Sequence, residues 1–311
     1  MNSNHWVIKW GKTKNDKQCW YCKECQHFFI WKKKKAHHKK WFLDWLGGMS
    51  AKQVAEKVSK STKTIQREIN FFLKIPPKPK IIPNKKAHLL IDGTYFKREN
   101  CLIIYHDRDL KHHQLWSYVK GEKKYQIESD LRELKRAGVD LFSATTDGNA
   151  AVRSALLKVY PKAIHQRCLV HIQRFAEIHL TKNPKTKAGR ELKEIVSCLN
   201  FLNSHLAKRT FLGRLERWKG NYLNFLKEKT YSEDRSFWWY THRNLRRVIF
   251  HIESALPDMF RYLIHKEIPK DTNGLEGRFK DLKHKFADHG GLKKEKRTSY
   301  FSWYLTLKNQ K

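Results

Sequence analysis

Two short apolar runs that each end in Asp-Gly constrain this chain more than any other feature. The first is His88-Leu89-Leu90-Ile91-Asp92-Gly93, and the second is Leu141-Phe142-Ser143-Ala144-Thr145-Thr146-Asp147-Gly148. Runs this short and apolar predict buried strands. Between them, Cys101-Leu102-Ile103-Ile104-Tyr105 and Gln114-Leu115-Trp116-Ser117-Tyr118-Val119 predict two more strands, set as antiparallel neighbours. Tyr125 to Ala137 predicts an amphipathic helix with Ile127, Leu131 and Leu134 on one face and Gly138 as its stop. Asn149 to Val159 gives the next helix, and Ala163 to Cys168 a fifth strand.

Three strands followed by alternating helix and strand is the order expected of an α/β, ribonuclease-H-like fold, a mixed sheet with helices on both faces. The two Asp-Gly pairs have plainer readings. Asp-Gly between apolar runs also signals a hairpin turn, and an aspartate just before Asn149-Ala150-Ala151 also serves as a helix cap. A third carboxylate lies far downstream, in Asp271-Thr272-Asn273-Gly274-Leu275-Glu276-Gly277-Arg278-Phe279-Lys280-Asp281-Leu282-Lys283. This reads as a helix capped by Thr272-Asn273. Lys283 follows Glu276 by seven residues, close to two turns, so the ammonium and the carboxylate share a face. The plain alternative for Glu276 is a solvated helix glutamate.

Charge narrows the class of partner. The 311 residues carry 65 Lys and Arg against 30 Asp and Glu, a formal charge of +35 spread along the whole length. Such a field attracts polyanions, and phosphate contacts release counterions from nucleic acid. Lysine enrichment from an AT-rich genome can raise this excess without accounting for all of it. Hydrophobic residues make up 40% of the chain, enough for a sizeable core and against disorder. The sequence has no apolar run long enough for a membrane span, and Met1 to Trp6 lacks a signal-peptide plan. Three of the six cysteines fall within seven residues, which suits a reducing compartment with a local metal site. The expected location is the cytoplasm, on the nucleoid.

That cysteine group is Cys19-Trp20-Tyr21-Cys22-Lys23-Glu24-Cys25-Gln26-His27. Cys22 and Cys25 have the spacing of half a tetrahedral zinc site. Cys19 and His27 would complete only a cramped one, and a metal-free hairpin is the alternative. Further on, Ser50 to Val58 and Ser61 to Ile69 predict two short helices with hydroxyl caps around a turn, a helix-turn-helix. Thr62, Lys63, Gln66 and Arg67 would then face the major groove of double-stranded DNA. Ile75-Pro76-Pro77-Lys78-Pro79-Lys80 is a stiff basic linker. The expected division is a zinc-ribbon-like basic module over 1–40, the helix-turn-helix over 41–75 and the linker over 76–87. A catalytic domain follows over 88–184 and 269–311, interrupted by a helical insertion over 185–268.

Leu90-Ile91-Asp92-Gly93-Thr94, Thr146-Asp147-Gly148, Cys168-Leu169-Val170-His171 and Thr272-Asn273-Gly274-Leu275-Glu276-Gly277, in this order, resemble the bacterial insertion-sequence transposases of the Mutator-like group. Tyr21-Cys22-Lys23-Glu24-Cys25 likewise looks like the second knuckle of the zinc ribbon that opens many such enzymes. The chain is accordingly expected to begin inside the ribbon. The resemblance covers roughly residues 88–308. It implies a DDE triad of Asp92, Asp147 and Glu276 holding two Mg²⁺ (or Mn²⁺) ions, with Asp92 bridging both. It also implies cleavage at terminal inverted repeats, strand transfer into target DNA and a homo-oligomer in the synaptic complex. Zinc at the N-terminus would be a second metal. Hard carboxylate oxygens suit Mg²⁺, whereas Cys and His suit zinc.

Cys168 and His171 would either position substrate and brace a strand end or simply pack, and Asn273 lies beside the glutamate. Lys283 would hold a phosphate, or be merely solvated. In the insertion, Phe237-Trp238-Trp239-Tyr240-Thr241-His242-Arg243 is the aromatic peak. It would either form the insertion's core or stack on flipped or hairpinned DNA ends. His289-Gly290-Gly291-Leu292 should end the glutamate helix, with a last helix over Tyr300 to Leu307. Two other functions fit the same residues. One is a domesticated or inactive helix-turn-helix protein, for which the three carboxylates are dispensable; the other is a nuclease or resolvase that cuts without joining.

Overall fold

The computed structural model describes residues 6–14, 16–30, 37–96, 99–289 and 292–309. The expected helix end at Gly290-Gly291 and most of the basic run before residue 37 lie outside them. At the N-terminus β1 (Val7–Lys12), β2 (Gln18–Cys22) and β3 (Phe28–Ile30) form a small antiparallel sheet. Three helices follow: α1 (Lys39–Leu46), α2 (Ala51–Lys57) and α3 (Thr62–Lys74). The hydroxyl pattern works as expected. Ser50 accepts from the backbone N of Gln53 while the Gln53 side chain accepts from Ser50 N, a capping box, and Ser61 caps α3 through Thr64 N.

A five-stranded sheet comes next, in the order β6-β5-β4-β7-β8. It consists of β4 (Asn84–Phe96), β5 (Asn100–Asp107), β6 (His112–Val119), β7 (Val139–Thr146) and β8 (Ile164–Arg167), with α4 (Lys124–Arg136) and α5 (Ala150–Val159) in the connections. β4, β5 and β6 are antiparallel, whereas β7 runs parallel to β4 and β8 parallel to β7. The chain does not turn at Asp92-Gly93. Instead β4 continues to Phe96, pairing Asp92 with Ile104 and Gly93 with Ile103. The glycine answers a close approach rather than a bend, since a β-carbon there would lie 1.9 Å from Glu122 Oε1.

The rest is helical: α6 (Leu169–Leu180), α7 (Lys187–Ser197), α8 (His205–Asn221) and α9 (Leu223–Lys227). A two-stranded ribbon, β9 (Lys229–Tyr231) and β10 (Trp238–Tyr240), interrupts the series. Then come α10 (Arg243–Ala255), α11 (Arg261–Ile264), α12 (Asn273–Ala287) and α13 (Lys294–Lys308). The ribbon departs from the wholly helical insertion that the sequence suggested. Three consecutive aromatics favour a strand over a helix, where their side chains lose rotamer freedom against the preceding turn.

Alternation along β4 divides the core. Leu89 and Ile91 point to one face with Ile103 and Tyr105, under Ile127, Leu131 and Leu134 of α4 and Val152 and Leu156 of α5. Leu90 points to the other face with Leu102, Ile104 and Trp116, covered by Leu275, Phe279 and Phe286 of α12 and Tyr300, Phe301 and Tyr304 of α13. Phe42, Ile65, Ile69 and Leu73 from the N-terminal helices belong to this same second cluster. Full burial of side chains such as Phe42 and Ile65 contributes about 1.5–3 kcal/mol each. A third cluster, with Leu169, Leu192, Phe211, Trp218 and Val248, joins α6 to the helices that follow it.

Candidate active site

The parallel ladder between β4 and β7 ends with Ile91 opposite Thr146. Asp92, still paired to β5, and Asp147, just past the end of β7, are the next residues, so two carboxylates stand at one level beyond the last rung. Asp92 is 8% exposed, and burial pushes its carboxyl pKa up to about 7. His171 opposes that rise, while the negative charges of Asp147 and Glu122 add to it. Asp147 is not the cap of α5. Asn149 does that by accepting from Ala151 N at 2.9 Å, and Asp147 Oδ1 accepts from Asn149 N at 2.8 Å. Gly148 adopts φ +83°, and a β-carbon there would lie 1.8 Å from Arg167 Nε, so only glycine fits beneath that guanidinium.

Glu122, between β6 and α4, is the carboxylate that sequence reasoning missed. Its Oε2 accepts from Asn149 Nδ2 at 2.6 Å, and the Cys101 thiol donates to its Oε1 at 3.7 Å. Burial raises its pKa, with Asp147 adding to the effect. The only signal in the sequence was a Gly-Glu pair after a strand, too common to single out.

Glu276 stands in the first turn of α12, held from α6 by residues at three-residue intervals. Cys168 Sγ, fully buried, accepts from Thr272 N at 3.3 Å and from Thr272 Oγ1 at 3.4 Å. The Thr272 hydroxyl is therefore spent on the thiol and does not cap α12; Asp271 Oδ1 accepts from Asn273 N instead, at 3.0 Å. His171 Nε2 lies 4.0 Å from Glu276 Oε1. Arg174 forks onto Glu276, its two terminal nitrogens each 2.5 Å from one carboxylate oxygen. The Cys-x-x-His pair thus joins the strand end of β8 to the start of the glutamate helix.

Asp92, His171, Arg174, Glu276, Lys280 and Lys283 line one open cavity of about 490 Å³. Glu276 and Lys283 share its wall, as their spacing predicted. Among the described residues, no group of three or more His, Cys, Asp or Glu side chains is placed to hold a metal ion. The structure therefore places Asp92 inside β4 and Asp147 just past β7, both one residue beyond the last rung of the parallel ladder, and lines one cavity with Asp92 and Glu276, with Arg174 occupying both glutamate oxygens. Of the two cysteines expected to hold zinc, Cys22 is buried at the end of β2 and Cys25 is exposed in the turn that follows, and among the described residues no three-ligand group forms around them. Away from the cavity, Thr62, Lys63, Gln66 and Arg67 all lie on the exposed side of α3, opposite buried Ile65, Ile69 and Leu73.

No helix among the described residues is long and apolar enough to cross a membrane. Among curated proteins nothing matches the chain. Among solved structures it is similar to a chain of the cryoEM structure of the simian T-cell lymphotropic virus intasome in complex with PP2A regulatory subunit B56 gamma. That likeness is 13% identity over 65% of this chain and 68% of that one, with a TM-score of 0.21, too slight to carry an argument. The family described as Transposase, Mutator family matches residues 116–255, a stretch that holds Glu122, Asp147, Cys168, His171 and Arg174 and ends before Glu276. Over that stretch, a little under half of its length, the chain is similar to the Mutator-family transposases.

Proposed function

We propose that the chain is a DDE transposase that cuts DNA at the terminal inverted repeats of its element and joins the freed ends to target DNA. The observation that carries this reading is that Asp92 and Asp147 stand level, one residue past the last rung between parallel β4 and β7, with Asp92 and Glu276 lining one cavity. The strand order and the helices on both faces support a ribonuclease-H-like catalytic domain over 88–184 and 269–311, with 185–268 inserted. The donor chemistry fits Mg²⁺ or Mn²⁺, since all three side chains offer hard oxygens. Such ions, when bound, supply activation of the attacking oxygen and stabilisation of the leaving one.

Asp92, Asp147 and Glu276 are the residues that would hold the cations, and Arg174 now bonds both oxygens of the glutamate. Burial raises the Asp92 carboxyl above the usual carboxylate range, and positive charge in the cavity would oppose that rise. Lys280 and Lys283 attract the phosphates of the strand that enters the cavity. Cys168 and Thr272 keep the first turn of α12 docked against β8. Thr62, Lys63, Gln66 and Arg67 read the major groove of the repeats, and copies of the chain pair two ends in a synaptic complex on the nucleoid. The test is a Mg²⁺-dependent cleavage and joining assay on DNA carrying the element's ends. Asp147→Ala should abolish both steps; unchanged activity sinks the assignment, and cleavage without joining marks a nuclease.

A further inference from the structure

The ribbon β9–β10 has a construction that the carboxylate chemistry does not use. Its register sets Trp238 opposite Tyr231, Trp239 opposite Thr230 and Tyr240 opposite Lys229. Alternation therefore gives each face its own indole, Trp238 on one and Trp239 on the other. Tyr231, Phe237, Trp238 and Trp239 are 54%, 60%, 46% and 38% exposed.

The ribbon is nevertheless fastened at both ends. At the root, His242 stacks on Phe225 with ring centroids 3.5 Å apart and contacts Glu228 at 2.9 Å, while Arg246 donates to Leu226 O at 3.0 Å. At the tip, the Ser232 hydroxyl donates to Asp234 Oδ1 at 2.6 Å, Ser236 N donates to the same oxygen at 3.1 Å, and Ser232 N donates to Phe237 O at 3.0 Å. An isolated two-stranded ribbon is marginal in water, and clustered exposed aromatics mark an interaction surface.

The chemistry around the rings selects the occupant. Lys229 Nζ sits 3.7 Å from the Trp238 ring centre, and Arg246 Cζ sits 3.6 Å from that of Tyr240. Of the nearby acids, Glu228 and Asp234 are spent on His242 and on the tip turn, and Glu233 is exposed at the tip two residues from Arg235. What fits is a partner with flat apolar faces and anionic edges. A second copy of the chain would bring the same cations against these. A duplex keeps its base faces covered by stacking, so only unpaired bases offer a free face.

We propose that β9–β10 is a stacking platform for unpaired DNA bases, with Lys229 and Arg246 turning to the adjoining phosphates. The inference rests on the DNA-binding part of the proposed function but not on its carboxylate assignment. The test uses the full chain in a chelator, so that no cleavage occurs, and compares a fluorescein-labelled oligothymidylate with a blunt duplex of equal length by anisotropy. Trp238→Ala and Trp239→Ala should each weaken single-strand binding roughly 5- to 150-fold. Duplex binding and the thermal melt should stay as in wild type, and Trp238→Phe and Trp239→Phe should restore most of the affinity. Alanine variants that bind the oligothymidylate like wild type overturn the proposal. An equal loss on both DNAs does the same, because it reads as phosphate attraction alone. A wild-type dimer that the alanine variants dissolve, with no single-strand preference, assigns the surface to a second copy and also overturns it. A negative result leaves cleavage by Asp92, Asp147 and Glu276 untouched, and loss of the carboxylate assignment leaves the binding result untouched.

Discussion

Gly93→Ala tests whether the end of β4 and Glu122 are built against each other. The new β-carbon would lie 1.9 Å from Glu122 Oε1 and 2.8 Å from Cys101 Sγ, so the glutamate must swing away. Overpacking of that kind costs about 1–3 kcal/mol. Departure of Glu122 also breaks its 2.6 Å bond from Asn149, a bond to a charged group worth about 1.5–3 kcal/mol. The expected loss is about 3–5 kcal/mol, or a fall in Tm of roughly 6–10 °C for a chain of this size. Glu122→Ala alone gives up the Asn149 bond but relieves crowding with Asp92 and Asp147, so it should cost only about 1 kcal/mol. In the double variant only the milder overlap with Cys101 remains. Its loss should fall short of the sum of the single losses by about 1–3 kcal/mol. Thermal melts of the four proteins in chelator complete the cycle. Additivity to within about 0.5 kcal/mol, or Gly93→Ala melting with wild type, refutes the reasoning.

Asp92→Asn should change the pH dependence of stability in a known direction. A carboxyl with a raised folded pKa contributes stability below its ordinary range near 4 and loses it as pH rises through about 7. Without divalent ions, the variant should match wild type near pH 4 and exceed it at pH 8 by on the order of a few kcal/mol, and melts that differ equally at both pH values would contradict this. Cys168→Ala strips buried Thr272 of the acceptor for its N–H and hydroxyl, at a cost of about 1–3 kcal/mol, and Cys168→Ser should recover most of it. Hydrogen exchange in the first turn of α12 is the readout, and serine no better than alanine argues against the bond. Arg174→Ala frees both oxygens of Glu276. Calorimetric Mn²⁺ affinity without DNA should rise by up to about fivefold, since an exposed ion pair is worth no more than about 1 kcal/mol. Weaker binding would show that the arginine does not compete.

The sheet was legible because its strands carry short apolar runs, as at Leu89 to Ile91 and Leu102 to Tyr105, and because α4 and α5 separate β6, β7 and β8. Asp-Gly at residue 92 was ambiguous because turn propensity is local. What decides the matter is Glu122, packed over Gly93 from a loop about thirty residues away, and no spacing rule reports such a neighbour. The same limit hid the true partner of Thr272: a hydroxyl before a helix looks like a cap until Cys168 competes for it. The aromatic peak at 237–240 was visible, but its exposure was not, because a run of large apolar residues reads as core whether or not another layer covers it. The ordering of Asp92, Asp147 and Glu276 along the chain was legible too. Their mutual geometry was not, since it depends on how α6 grips α12 through Arg174.

The second core cluster also ties the helices before Ile75-Pro76-Pro77-Lys78-Pro79-Lys80 to the end of the chain. Phe42 meets Trp303 edge-on at 5.3 Å and Trp45 meets Tyr300 at 5.8 Å, while the Trp303 indole donates to Phe72 O at 2.9 Å. Phe286, on the helix that carries Glu276, lies 5.7 Å from the same Tyr300 ring. The helices before the proline-rich segment therefore pack directly on the helices that close the chain. A continuous train of rings, Phe72, Phe42, Trp45, Tyr300 and Phe286, runs from α3 to the helix that carries Glu276.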